Sequence, residues 1–162
     1  MTVKAVLAKA HEELRDNPTI QHQLTEIQKL LDTRELPMKE NTINFVSIQG
    51  IYDADKKSIF LISLFINNMT RPVNEIHAEL RLHLEREGVQ LATITLNFGK
   101  EFIGVLNPQE AMMIHLQIPA RGLQQDEESF YGDEFVGRLE EVRVTFADGE
   151  GEDAGNVEET EE

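Results

Sequence analysis

Five polar side chains alternate with four apolar ones between residues 77 and 85. His77, Glu79, Arg81, His83 and Glu85 are separated by Ala78, Leu80, Leu82 and Leu84. On a β-strand such alternation turns all five to one side, about 7 Å from each to the next. Imidazole and carboxylate are ligands for zinc and other divalent ions, so one reading is a metal-binding or hydrolytic protein using these surface His and Glu residues. Two features oppose it. Arg81 stands inside the set and repels a cation, and His77 and His83 are roughly 20 Å apart along a strand, too far to share one ion. The face is therefore read as solvated, with a protein-contact face as the functional alternative, and no metal or cofactor is expected.

Other candidate chemistry is thinner. His115 is flanked by Ile114 and Leu116 and reads as a structural histidine. No serine or threonine occupies a nucleophile elbow, and no Gly-rich loop opens a helix, so no catalytic residue is expected. The stretch DEESFYGDEF fails as an EF-hand: counted from Asp126, Phe130 falls at the fifth position and Gly132 at the seventh, where the motif needs glycine at the sixth. Asn68-Met69-Thr70 matches an N-glycosylation acceptor, an accidental match in a chain whose N-terminus has no secretory signal. That N-terminus, broken by Lys4, Lys9, His11, Glu12 and Glu13, and the lack of a long apolar run make the cytoplasm the expected location, without stable membrane insertion.

The charge is unevenly distributed. Of the net −15 over 162 residues, residues 1–123 carry 15 acidic against 13 basic groups, a net of −2. Residues 124–162 carry 15 against 2, a net of −13. Such a chain repels nucleic acid and anionic lipid; an acidic tail attracts a basic partner or keeps the protein in solution. Cysteine is absent, so neither disulfides nor thiol chemistry arise.

The elements that would hold these groups follow from hydrophobic period. Val3, Leu7, Ala10 and Leu14 predict a first helix, and Ile20, Leu24, Ile27 and Leu31 a second, with Asn17 or Asp16 capping and Pro18 in its first turn. These helices, residues 1–36, are expected to cover a sheet face or to mediate self-association into a homo-oligomer. From residue 42 the period falls to two. TINFVSIQGIY, Ile59–Ile66, EIHAELRLHLE, LATITLNF, MMIHLQIP and EEVRVTFAD read as strands. Ile59–Ile66 is apolar on both faces apart from Ser63, as in a central strand covered on two sides. Asn67, Asn68 and Pro72 then end it at a corner. The fold class expected is mainly β, an antiparallel immunoglobulin-like β-sandwich over residues 42–147. Residues 122–135, GLQQDEESFYGDEF, show no clear period. Residues 148–162, with Val157 as their one large apolar side chain, predict a disordered acidic tail.

In this order the stretches VSIQGIY, ISLFINNMTRPV, LATITLNF and GVLNPQEAMMIHLQIP resemble the SLAP domain, a family of Firmicutes proteins tied to the accessory Sec system and S-layer assembly. Gly50 with Ile51, then Phe65, Ile66 and Asn67, then Ala92 and Phe98, then Leu106 and Pro108 carry the resemblance across residues 43–122. Ile66 stands where the family often has Arg, and Met112 and Met113 where it often has an aromatic. The resemblance implies a non-catalytic sandwich that assists export or assembly of surface-layer proteins, with a protein client or secretion component as partner. An oligomeric regulatory or stress interaction protein is a further reading.

Overall fold

The computed structural model describes residues 3–36, 38–123 and 128–147. The predicted acidic tail and Asp126 lie outside the described residues. The order is β1 (Lys4–Leu7), a 3-10 turn (Lys9–Leu14), α1 (Pro18–Thr33), β2 (Ile43–Asp53), β3 (Ser58–Asn67), β4 (Val73–Leu84), β5 (Gln90–Leu91) and β6 (Ile94–Phe98). Then come α2 (Lys100–Ile103), β7 (Glu110–Arg121), β8 (Ser129–Tyr131), a 3-10 turn (Gly132–Glu134) and β9 (Phe135–Phe146). The protein is mainly β. One sheet runs β1-β7-β3-β2-β8, with β5 joined to β7; the other runs β6-β4-β9.

Alternation along the strands builds two apolar layers. Ile59, Leu61 and Phe65 of β3 meet Ile76, Leu80 and Leu84 of β4 in the core between the sheets. Leu64 and Ile66 of β3, with Ala111 and Met113 of β7, face the other way and lie under Ile20 and Ile27 of α1. The central strand is therefore covered on both faces as its sequence predicts, except at Phe60, which is 43% exposed. Asn17 caps α1, its Oδ1 accepting from the N–H groups of Thr19 and Ile20 at 2.9 and 3.2 Å, and Pro18 fills the first turn, where a missing N–H costs nothing.

Three expectations are corrected. Residues 3–14 do not form one amphipathic α-helix: Lys4–Leu7 is a strand and only Lys9–Leu14 is helical, as a 3-10 helix. Lys4–Leu7 pairs parallel with Glu110–Met113, so the large sheet is mixed rather than wholly antiparallel. A helix spaced by Val3, Leu7, Ala10 and Leu14 would bury one stripe; the strand instead satisfies a whole row of β7 backbone groups, and Ala8 still reaches the core fully buried. Residues 91–98 are not one strand. Leu91 pairs with Ala120 in the large sheet, whereas Ile94–Phe98 pairs with β4, so the chain changes sheets at Ala92-Thr93. Finally, Ser129–Tyr131 is a short strand and β9 begins at Phe135, inside the stretch read as aperiodic. A bulge breaks the phase of β9: Glu141 has φ of 53° and the pairing with β4 shifts between His77 and Glu79. An extra residue reverses which side the later residues face. Phe135 and Leu139 point inward before it, and Val142, Val144 and Phe146 after it.

Candidate functional site: an open strand edge between two clefts

β2 has unequal neighbours along its length. From Ile43 to Asp53 it pairs with β3 on one side. On the other side β8 pairs with Gln49, Gly50 and Ile51, and the Glu128 carbonyl, just before β8, accepts from the Tyr52 N–H at 2.9 Å. Among the described residues no strand pairs with the outer side of Ile43–Ser47, a stretch of roughly 15 Å. A bulge at Ile48, where the β3 register shifts between Ser47 and Gln49, separates the covered part from the open part. Two glycines hold the covered part in place. A Cβ on Gly132 would lie 2.0 Å from the Ser47 carbonyl oxygen, so the turn after β8 seats directly on the β2 backbone. A Cβ on Gly50 would lie 2.9 Å from both Ile59 Cγ2 and the Phe135 ring.

Two clefts flank the open edge. One, of about 820 Å³, lies between α1 and β2 and is lined by Ile27, Leu30, Val46, Ile62 and Tyr131 among others. The second, of about 630 Å³, lies between Thr42–Phe45 and the start of β9. Phe45, Val136 and Gly137 line both, so the clefts adjoin along the strand. Two of the larger exposed apolar side chains sit here, Tyr131 at 76% and Val136 at 53%. Thr42 lines the second cleft; its hydroxyl is buried and has no hydrogen-bond partner among the described residues.

The alternating face of β4 borders this groove. Arg81 and His83 line the second cleft. His77 Nδ1 is 2.7 Å from Asn97 Oδ1. Arg81 and Arg138 stand opposite each other on β4 and β9, and both bind the Glu140 carboxylate, at 2.6 and 2.7 Å. Like charges directly opposite repel; the shared carboxylate offsets that, and its hydrogen bond from Arg81 holds Glu140 below the usual carboxylate range. Glu79 is half-buried, and Glu85 lies one residue past the strand, its N–H bound to the Glu134 carbonyl. Among the described residues no three His, Asp or Glu side chains gather as a metal site would require.

Of the residues that carry the resemblance, Gly50 and Ile51 lie in the covered half of β2, while Asn67 and Leu106 build the corner after β3. Asn67, fully buried, donates from Nδ2 to the carbonyls of Arg71 and Leu106 at 3.0 and 2.9 Å and accepts from Met69 N–H at 2.9 Å. The corner after β3 is thus built by this side chain. Phe65 and Phe98 meet edge to face at 5.3 Å. Leu106 is buried and bridges to Val73, while Ile51, Ala92 and Pro108 are partly or largely exposed. Asn68 donates to the Lys39 carbonyl and accepts from Gln109 Nε2, each at 2.7 Å. His115 lies beneath α1, with Nε2 3.0 Å from Gln23 Oε1, and burial pushes its pKa down.

The open edge is not marked in the sequence of β2, which alternates like any half-buried strand. Its one local signal is the even spacing of Ile43 and Phe45, then Gly50 and Tyr52, with the phase broken at Ile48. No helix among the described residues is long and apolar enough to cross a membrane. No known protein-family model matches the chain, and no curated protein or solved structure matches it.

Proposed function

We propose that the chain is a non-catalytic, cytoplasmic protein-binding or assembly factor of the SLAP type, an immunoglobulin-like sandwich that receives an extended segment of a surface-layer client or secretion component. The observation that carries this reading is the open edge Ile43–Ser47 between two adjoining clefts. An unpaired edge offers a row of N–H and C=O groups, which supply affinity to an added strand. Pockets on either side take alternate side chains of that strand and supply specificity. Tyr131 and Val136 provide apolar contact at the rim. The net −13 of residues 124–162 draws basic clients toward the site, an attraction that weakens as salt rises.

Photocrosslinking tests the reading. Val136→p-benzoylphenylalanine places a crosslinker at both clefts, and His77→p-benzoylphenylalanine places one on the solvated face of β4. With an unfolded surface-layer precursor, crosslinks are expected at position 136 and not at 77. Crosslinks confined to 77 would move the contact to the β4 face, and crosslinks at neither position would remove the client-binding function.

A further inference from the structure

α1 covers part of the outer face of the large sheet. Leu64, Ile66, Ala111 and Met113 lie beneath it; further along the same strands the face opens to solvent. Cross-strand register sets what stands there. One row runs through Tyr131, Gln49, Ile62 and His115 across β8, β2, β3 and β7. The next runs through Ser129, Ile51, Phe60 and Gln117. All face the same way as Leu64, because side chains two apart on a strand share a face and so do register partners.

Six large apolar side chains are exposed among the described residues, and three of them, Ile51, Phe60 and Tyr131, sit in these two rows. The Phe60 ring rests against the His115 ring, 5.0 Å between centroids. None of the eight positions holds Asp, Glu, Lys or Arg, in a chain where those residues make up 28%. His115, its pKa pushed down by burial, adds no charge near neutral pH. Charge returns at the margins, with Asp53 one row on and Glu26 and Asp133 in the wall of the α1 cleft beside Tyr131. The solvated face of β4, with Glu79 and Arg81, has the opposite character. An exposed apolar patch with a polar rim marks a contact surface.

Its chemistry selects the occupant. A partner of opposite charge finds nothing here to pair with. Two copies of a −15 chain repel, and the approach that costs least is through a face free of charge. The side chains present are also their own complements. Apolar groups pack on apolar groups, and each amide of Gln49 and Gln117 offers both donors and an acceptor, so it can meet its own kind. Two-fold pairing requires such a self-matching patch.

We infer that two copies of the chain associate through this face, large sheet against large sheet about a two-fold axis, with Ile51 and Phe60 at the centre. The four strands span about 14 Å, small beside a standard interface, so the dimer is weak and populates as concentration rises. It does not rest on the client reading, because the outer side of Ile43–Ser47 stays free; Tyr131 alone of these exposed apolar groups also lines a cleft at that edge.

Sedimentation equilibrium on the full-length chain tests the inference. Mass should climb from that of one chain toward that of two as concentration rises. Raising salt from about 0.1 to about 1 M shortens screening from about 10 to about 3 Å and should tighten the dimer several-fold, since repulsion between the copies opposes it. Phe60→Glu and, separately, Ile51→Glu should each leave a monomer at every concentration. Both side chains are already exposed, so melting curves should match the parent's. Val136→Glu, at the β2 edge, should leave association unchanged. A single-chain mass throughout overturns the inference. So does association that salt weakens, or that survives Phe60→Glu and Ile51→Glu, since the contact then lies on charged groups, on the β2 edge or on α1. Client crosslinking at position 136 should persist in Phe60→Glu, so loss of the dimer and loss of client binding are read separately.

Discussion

At one edge of the large sheet, Gln28 of α1 reaches across to β1; at the other, among the described residues, no strand pairs with the outer side of the first half of β2. The Ala5 N–H donates to Gln28 Oε1 at 2.8 Å, and Gln28 Nε2 donates to the Val3 carbonyl at 3.0 Å. One side chain supplies what a neighbouring strand would. Gln28 is held there by α1, whose Ile20 and Ile27 are seated on Leu64, Ile66, Ala111 and Met113. β2 pairs with β8 over Gln49–Ile51, the Gly132 turn seats on Ser47, and among the described residues no strand pairs with the outer side of Ile43–Ser47. Exposed edges invite association, and proteins usually blunt them.

Removing the anchor of the closed edge should have the largest effect. Ile27 is 3% exposed, and Ile27→Ala should cost about 3 kcal/mol through lost burial and the cavity left behind, read by denaturant titration. It should also speed amide exchange in β1, because Gln28 loses its position. Unchanged β1 exchange would mean that the strand is held by β7 alone.

Gln28→Ala makes the two edges alike. It leaves Ala5 N–H and Val3 C=O without the glutamine, and water reaches this part-buried site. The expected loss is about 1 kcal/mol, with a new concentration-dependent rise in solution mass as β1 becomes available for pairing. If mass rises in the parent chain and not further in the variant, association runs through another surface, the polar side of α1 included.

Thr42→Val sharpens the comparison from the open side. The methyl replaces a buried hydroxyl that has no partner among the described residues, so stability should be unchanged or rise by about 1 kcal/mol, while client crosslinking at position 136 falls. A clear loss of stability would show that the hydroxyl is already satisfied.

The smallest effects are in pH dependence, and the two sides titrate in different windows. Burial and then the charge of His11 lower the pKa of His115 from its usual 6.5. The unfolded chain therefore takes up that proton first, so stability is complete above 6.5 and declines as pH falls from there to the lower folded value. His115→Gln should flatten this slope. On the open side, Glu140 titrates below its usual 4.5 because of Arg81. Its contribution is present above 4.5 and is lost as pH falls through the folded value. Glu140→Gln should lower stability slightly at pH 7 and make no difference in strong acid. Both slopes are read from melting curves across pH.

Much of the scaffold was legible from periodicity. The two-faced burial of β3 followed from its unbroken apolar run, the wet face of β4 from strict alternation, and the start of α1 from Asn17-Pro18. Errors arose where pairing overrode local pattern. Val3–Leu14 has helical spacing, but a row of unpaired β7 backbone groups drew its first residues into the sheet. Leu91 and Ile94 look like one strand and serve two sheets. The candidate site is legible only in part: alternation marks the β4 face, and Arg81 and His83 from it line the second cleft, whereas nothing in the local pattern distinguishes Val136, Tyr131 or the outer side of Ile43–Ser47.

The sequence by itself determined which residues alternate, where apolar faces lie and how charge divides between body and C-terminus, because period and composition are properties of neighbours along the chain. Only the tertiary structure decided which strand edges meet a partner. Pairing joins residues far apart in sequence, such as Ala5 with Gln28 and Gly132 with Ser47, and an edge is open only when nothing elsewhere in the chain reaches it.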